Sequence, residues 1–169
     1  MRIFVIIFLT FVFAVSALSQ TRLKVGATAP LFTATALDGT GYNLNELRGS
    51  VVVLTFWSTK CAICRSELPK LNRLVKSFEG KNVVFLALTM ENDGWVAAYV
   101  KNNALEAHVL PNSLGTVLQY ADRDRSGNLD MGFPSFFVIN TSGKIEFRSS
   151  GYDKTESLNA AISRLITNK

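Results

Sequence analysis

The chain has few of the residue types that build metal sites: its 169 residues include only two cysteines, Cys61 and Cys64, and one histidine, His108. A structural zinc site needs four ligands, and no second cysteine pair is present to complete one. The sequence has only four prolines, and neither an internal repeat nor a linker divides it. We therefore predict one continuous domain that holds no metal and no other cofactor.

The chain also lacks a concentrated charge of either sign. Lysine and arginine exceed aspartate and glutamate by 18 to 13, which gives a formal net charge of +5. The basic residues are scattered along the sequence and are not interleaved with aromatic residues, as they are in nucleic-acid-binding surfaces. We expect no nucleic-acid partner, and we expect a monomer with a mildly basic surface.

The first 19 residues have the composition of a secretory signal peptide. Arg2 is their one charged residue, and an apolar run follows it as far as Leu18. Small residues at Ala17 and Ser19 then occupy the positions that favour cleavage before Gln20. This pattern predicts a signal peptide at residues 1–19, a mature domain at residues 20–169, and an exported, periplasmic protein. If the segment were kept, it would tether the protein to a membrane.

The two cysteines form a C-x-x-C motif between an apolar run at residues 51–57 and a segment with helical spacing at residues 68–78. Cys61 is therefore expected at a strand-to-helix junction, and Cys64 one turn further into the helix. Unpaired N–H groups at a helix start stabilise a thiolate, so we expect the pKa of Cys61 to lie below that of a free thiol. Lys60 should lower the pKa of Cys61 further.

A thiolate in this position attacks disulfides, and a second thiol one turn away can resolve the mixed disulfide. We predict that Cys61 is the exposed catalytic nucleophile and Cys64 the shielded resolving thiol of a redox-active pair. An inert structural disulfide is the alternative. It would close a very short loop and so would stabilise the fold little.

The rest of the sequence predicts an α/β fold. Continuous apolar runs at residues 51–56 and 83–88 predict buried strands, which alternate with helical patterns and should pair in parallel. Further segments predict an N-terminal hairpin (31–37 and 42–44), a buried strand (136–139), an edge strand (144–148) and a final helix (158–166).

Two local motifs near the C-terminal half allow more than one interpretation. Residues 122–130 match the first half of a calcium-binding loop, but Phe133 stands where a bidentate glutamate is required, so we predict a solvated loop. Asp153 and Glu156 have the spacing of a capping box for the final helix.

Taken together, these stretches resemble the TlpA/ResA-type thioredoxin-fold proteins, a group of exported thiol-disulfide oxidoreductases. The resemblance spans residues 24–166 and is carried by residues 25–32, 37–39, 47–49, 51–57, 61–69, 132–139 and 143–145. It implies a thioredoxin-like fold, with a central mixed sheet flanked by helices and an N-terminal β-hairpin extension.

The resemblance also implies roles for individual residues. Pro134 should be a cis-proline facing the cysteines, which frees the backbone of Phe133 to pair with an extended substrate. Trp57 should lie beside the active site and contribute to substrate binding. Glu91 should lie close enough to tune the pKa values of the cysteines. Thr55 occupies the position of the buried acid of thioredoxin, so proton transfer from the resolving thiol would need water or another carboxylate such as Glu91.

The function implied is the reduction of disulfides in other exported proteins, with apocytochrome c and its heme-binding thiols as one candidate. A membrane thiol electron donor would keep the pair reduced in an oxidising compartment. Lys60 stands immediately before the first cysteine, where the family usually has tryptophan or a similar residue. Such departures tune the reduction potential, so the sequence leaves open whether the protein reduces or oxidises its partners.

Three other functions remain compatible with parts of the pattern. An exported oxidase or isomerase would use the same residues at a higher potential. A peroxiredoxin shares the N-terminal half of the pattern but requires P-x-x-x-T-x-x-C, whereas Thr59 stands two residues before Cys61 and no proline precedes it. A non-enzymatic copper or zinc carrier would clamp the metal with the dithiolate, although His108 is the only histidine available.

Overall fold

The structure is a computed structural model that describes residues 22–124 and 126–167. The signal peptide predicted at residues 1–19 lies outside the described residues. The elements in chain order are β1 (Thr33–Thr35), β2 (Gly41–Asn43), β3 (Val51–Phe56), α1 (Ala62–Ser77), β4 (Val83–Leu88), α2 (Asp93–Val100), β5 (His108–Leu110), α3 (Leu114–Tyr120), β6 (Asp122–Arg123), β7 (Leu129–Asp130), β8 (Ser135–Ile139), β9 (Ile145–Ser150) and α4 (Thr155–Thr167).

The centre of the fold is a mixed five-stranded sheet with the strand order β5-β4-β3-β8-β9. Strand β3 pairs in parallel with β4 and antiparallel with β8, and all six of its residues are buried. Its continuous apolar sequence is explained by this position, because both of its faces are covered. The predicted central mixed sheet is confirmed, and β9 is an edge strand as expected.

Alternate residues of the sheet point to opposite faces and pack in two separate hydrophobic cores. Val53 and Val138 point to the side covered by α1 and α4, where they pack with Leu71 and Leu158. The other side is covered by α3 and the N-terminal segment. Residues packed there include Leu54, Phe56, Leu86, Phe137 and Tyr120. Tyr120 is fully buried, its hydroxyl donates to the Pro30 carbonyl at 2.8 Å, and burial raises its pKa well above the usual value.

The predicted N-terminal hairpin is present as β1 and β2. Its strands are shorter than the sequence suggested, since the apolar residues on either side pack individually against the second core. Gly39 adopts φ +85° in the turn, and the Asp38 carboxylate accepts the backbone N–H of Thr40 at 2.9 Å. The backbone N–H of Leu37 donates to the carbonyl of Val109 in β5, and this hydrogen bond joins the hairpin to the edge of the central sheet.

One local prediction is incomplete and another is wrong. The segment predicted as a solvated loop is mostly exposed in its described residues, and it also contains the short antiparallel pair β6 and β7, because Asp124 accepts backbone N–H groups from Ser126 and Asn128 and closes a tight turn. The predicted capping box is absent. Asp153 has φ +56° and its carboxylate accepts a hydrogen bond from Lys70, so a partner distant in sequence competes with the local cap.

Candidate active site

The cysteine pair lies where β3 ends and α1 begins, as predicted. Cys61 is the N-cap of α1, and its Sγ accepts the backbone N–H of Cys64 at 3.0 Å. The two cysteines are joined by a disulfide with a Cα–Cα separation of 5.2 Å. Cys64 is only 4% exposed, whereas Cys61 is partly exposed. One sulfur of the pair can therefore meet a protein partner, and the other is covered.

The Phe133–Pro134 peptide bond is cis, which confirms the sequence prediction. The Phe133 carbonyl oxygen lies 3.6 Å from Cys61 Sγ. Ser135 pairs with Phe56 at the end of β3, so the sheet register brings the proline loop beside the cysteines. The backbone at residue 133 thus lies next to the sulfur that a partner can reach.

Trp57 follows β3 directly and is buried, with 3% of its surface exposed. Its ring packs against Tyr99 of α2 with centroids 5.7 Å apart, and its backbone N–H donates to Leu88 at 3.1 Å. Its indole Nε1 is buried and has no hydrogen-bond partner in the described part of the chain. Trp57 therefore forms part of the buried wall of the site, and it lines the same cavity as Cys64.

That space is a small cavity of about 10 Å³, which Cys64 lines together with Thr55, Trp57, Glu67 and Pro134. Its size is close to that of a single water molecule. Two of the residues that line it each carry a buried polar atom without a hydrogen-bond partner within the described residues, Trp57 at Nε1 and Glu67 at Oε1. Cys64 thus shares its cavity with a tryptophan and a carboxylate side chain.

Glu67 is the functional candidate that sequence reasoning missed, since it was noted only as part of a matching stretch. Its side chain is 5% exposed and lies 3.4 Å from Lys70 Nζ, an ion pair without hydrogen-bond geometry. Lys70 makes its short hydrogen bond to Asp153 at 2.7 Å, and that bond lowers the pKa of Asp153. The available signal was the spacing, because residues three apart on a helix share a face, as Cys64 and Glu67 do.

Glu91 binds the loop that precedes Cys61. Its carboxylate accepts Thr59 N–H at 2.9 Å, the Thr59 hydroxyl at 2.9 Å, the Ser58 hydroxyl at 3.0 Å and the Thr89 hydroxyl at 3.1 Å. Burial is the largest single influence and would raise its pKa, but the hydrogen bonds from Thr59, Ser58 and Thr89 together lower it. Glu91 is therefore a carboxylate held in its charged form beside the active-site loop.

The two remaining candidates are Lys60 and His108. Lys60 is exposed, and its backbone N–H donates to Ser58 Oγ at 3.1 Å within the same loop. His108 lies in β5 and packs against the Tyr42 ring with centroids 5.0 Å apart. Across residues 22–124 and 126–167, no three His, Cys, Asp or Glu side chains are grouped to hold a metal ion.

Comparison with known proteins agrees with this geometry. The Redoxin family model matches residues 24–162. The thiol-disulfide oxidoreductase ResA of Bacillus thuringiensis is 28% identical over 147 residues, which cover 86% of this chain and 81% of the relative. ResA of Geobacillus kaustophilus is 38% identical over 71 residues, or 42% of this chain and 41% of that protein.

A solved structure gives the same fold. The thiol:disulfide interchange protein of the thioredoxin family from Chlorobium tepidum has a TM-score of 0.70 at 22% identity, covering 85% of this chain and 98% of that one. The solved structure shows the thioredoxin fold, and the family model, the ResA relatives and the cysteine pair together define a thiol-disulfide oxidoreductase. The chain belongs to the Redoxin family and is of the TlpA/ResA type. Within the described residues, no helix is both long enough and apolar enough to cross a membrane.

Proposed function

We propose that this protein is an exported reductase that donates electrons to disulfides in other exported proteins. The observation that carries the proposal is the asymmetry of the pair: Cys61 is partly exposed at the N-cap of α1, whereas Cys64 is 4% exposed. A disulfide partner can reach the first sulfur, and the second is protected from side reactions until it is needed.

The reaction has two exchanges. The Cys61 thiolate attacks one sulfur of the substrate disulfide, forms a mixed disulfide, and expels the other substrate sulfur as a thiolate that takes up a proton. The Cys64 thiolate then attacks Cys61 Sγ, and the second substrate thiolate leaves and is protonated. Two electrons pass from the protein dithiol to the substrate, and the protein is left with the Cys61–Cys64 disulfide.

Each step has a structural support in this chain. The helix start stabilises the Cys61 thiolate, and Lys60 next to it adds a positive charge. The backbone of Phe133, beside the cis-Pro134 bond, is available for an extended substrate segment. Trp57 packs in the buried wall of the site. We assign Glu67, which lines the same cavity as Cys64, as the proton acceptor for Cys64.

The cycle requires a reductant, because the pair is oxidised at each turnover. We assign this role to an exported dithiol electron donor at the membrane, consistent with the signal peptide predicted at residues 1–19 and with a periplasmic location. Apocytochrome c, whose heme-binding cysteines must be reduced, is a candidate substrate. The protein acts as a monomer and needs no cofactor.

A trapping experiment tests the proposal. Cys64→Ser should accumulate a mixed disulfide between Cys61 and a disulfide-containing protein substrate, whereas Cys61→Ser should trap nothing and reduce nothing. Thiol-dependent peroxide consumption instead would identify a peroxidase. Stoichiometric copper or zinc binding without disulfide reduction would identify a carrier.

A further inference from the structure

One tryptophan is unusually exposed beside the redox site. Trp95 lies in the first turn of α2 and is 58% exposed. Its indole Nε1 nevertheless donates a hydrogen bond to Thr59 Oγ1 at 3.0 Å. The polar atom of the side chain is thus satisfied by the protein, and the part left in solvent is the apolar ring.

The Trp95 ring is hydrogen-bonded to the loop that carries the reactive sulfur. Thr59 precedes Cys61 by two residues, a distance of at most about 7 Å along the backbone. One helical turn after Trp95, Tyr99 packs on Trp57, which places the same face of α2 along the active-site wall. Trp95 therefore contacts the loop that presents Cys61, and it lies on the face of α2 that packs against Trp57.

The orientation of the indole is fixed before any substrate binds. Thr59 Oγ1 accepts from Trp95 and donates to Glu91 Oε1 at 2.9 Å, so one hydroxyl links the ring to the buried end of the Glu91 network. The backbone of Trp95 is held as well, because its N–H donates to the Asn92 side chain at 2.9 Å. A fixed aromatic ring loses little conformational entropy when a partner covers it.

Two further exposed apolar side chains belong to the segments that form the site. Ile63, between the two cysteines, is 43% exposed, and Met90, next to Glu91, is 44% exposed. We call Ile63, Met90 and Trp95 the apolar rim. Exposed apolar side chains on the segments that carry a reactive group favour a surface that a partner covers.

We propose that Trp95 is a specificity-determining residue, which packs against an aromatic or large aliphatic side chain adjacent to the disulfide-bonded cysteine of an extended substrate segment. Thr59 and Glu91 are positioning residues, because their hydrogen bonds hold the Trp95 indole in place. The proposal rests on the proposed reductase function. The expected partner of the apolar rim is a polypeptide substrate in which an apolar residue lies next to the reactive cysteine.

The test compares three disulfides: a peptide with phenylalanine beside the cysteine, the same peptide with serine there, and 2-hydroxyethyl disulfide. The wild-type protein should favour the phenylalanine peptide over the serine peptide in kcat/KM. Trp95→Ala should lower that preference about tenfold, which is the loss expected when a contact worth about 1.4 kcal/mol is removed. The small disulfide reports the redox chemistry without a neighbouring side chain.

Matched variants separate positioning from a general structural effect. Thr59→Val removes the hydroxyl at nearly constant shape and should lower the preference, whereas Thr59→Ser keeps the hydroxyl and should retain it. Leu118→Ala is the control, since Leu118 is exposed on α3, whose buried residues pack in the other core.

Two results would overturn the inference. One is a Trp95→Ala variant that changes the rates on all three disulfides by the same factor, or on none. The other is a Thr59→Val variant that keeps the full preference, which would remove Thr59 and Glu91 from the positioning role. If the wild-type protein reduced none of the three disulfides, the proposed function itself would fail, and the two failures are therefore distinguishable.

Discussion

The Glu91 carboxylate accepts two hydrogen bonds from Thr59, one from the backbone N–H and one from the hydroxyl, both at 2.9 Å. The two residues are 32 positions apart in sequence. Through this contact the end of β4 holds the loop that presents Cys61. The position of the reactive sulfur thus depends on a charged group outside the C-x-x-C motif.

Removing this carboxylate should destabilise the fold. Glu91→Ala leaves the Thr59 backbone N–H without its acceptor and removes three hydroxyl contacts, for an expected loss of roughly 2 kcal/mol in the free energy of unfolding. Glu91→Gln keeps one acceptor oxygen and should lose less. Urea unfolding of the oxidised protein measures both changes. Equal stability of the alanine variant and the wild type would show that the loop does not need Glu91.

The same group predicts a dependence of stability on acid. Its folded-state pKa lies below the ordinary value of 4.5, so its contribution is fully present above that value and is lost as the pH falls through the lowered pKa. The wild type should therefore lose stability over this acidic range more steeply than Glu91→Gln, which has no proton to gain there. Parallel unfolding curves for the two proteins from pH 6 to pH 3 would contradict this assignment.

Neutralising Glu67 should slow the second exchange. Glu67→Gln retains the shape of the side chain but removes the base that the proposal assigns to Cys64, so resolution of the mixed disulfide should slow roughly 100-fold near neutral pH. The rate should recover at higher pH, where hydroxide can take the proton. Glu79→Gln is the control, because Glu79 is exposed just beyond the other end of α1. A pH-independent loss would point to packing alone.

An ion pair away from the cysteines should contribute to stability. Arg148 donates to both carboxylate oxygens of Asp122, at 3.0 and 2.7 Å, and to the Leu23 carbonyl at 2.7 Å. The two side chains are only 19% and 17% exposed. Arg148→Met removes these hydrogen bonds and leaves the Asp122 carboxylate with the exposed Arg22, 3.2 Å away, as its remaining ion-pair partner among the described residues, so it should cost roughly 2 kcal/mol.

A double-mutant cycle separates the pair from its surroundings. Combining Arg148→Met with Asp122→Asn should restore part of the loss, because the second change removes the charge that has lost its closer partner. Thermal or urea unfolding of the four proteins gives the coupling energy. Strictly additive losses would mean that Arg148 acts only through Leu23 and its packing on the Phe137 ring.

Short-range patterns predicted much of this molecule. The apolar run of β3, the helix after Cys61 and the cis bond before Pro134 follow from local sequence or from the resemblance, and the structure has all three. What sequence could not supply were contacts between distant residues. The burial of Glu67 depends on how α1 packs, and the bond between Thr59 and Trp95 joins positions 36 apart.

The two local predictions that the structure changes have different causes. Asp153 fits a capping pattern by spacing, but Lys70, 83 residues away, donates a hydrogen bond to its carboxylate. The segment from Asp122 to Asp130 lacks apolar alternation, yet part of it pairs as a hairpin, because Asp124 accepts backbone N–H groups from Ser126 and Asn128. A tertiary contact outweighs the local preference in the first case, and a local turn sets the structure in the second.

The measurement that tests the account most directly is the reduction potential of the Cys61–Cys64 pair, obtained by equilibration with glutathione and dithiothreitol buffers. A reductase of other exported proteins should have a low potential, in the region of thioredoxin at about −270 mV. A value near about −120 mV, as in a strong oxidant, would contradict the proposed direction of electron flow and identify an oxidase or isomerase built from the same residues.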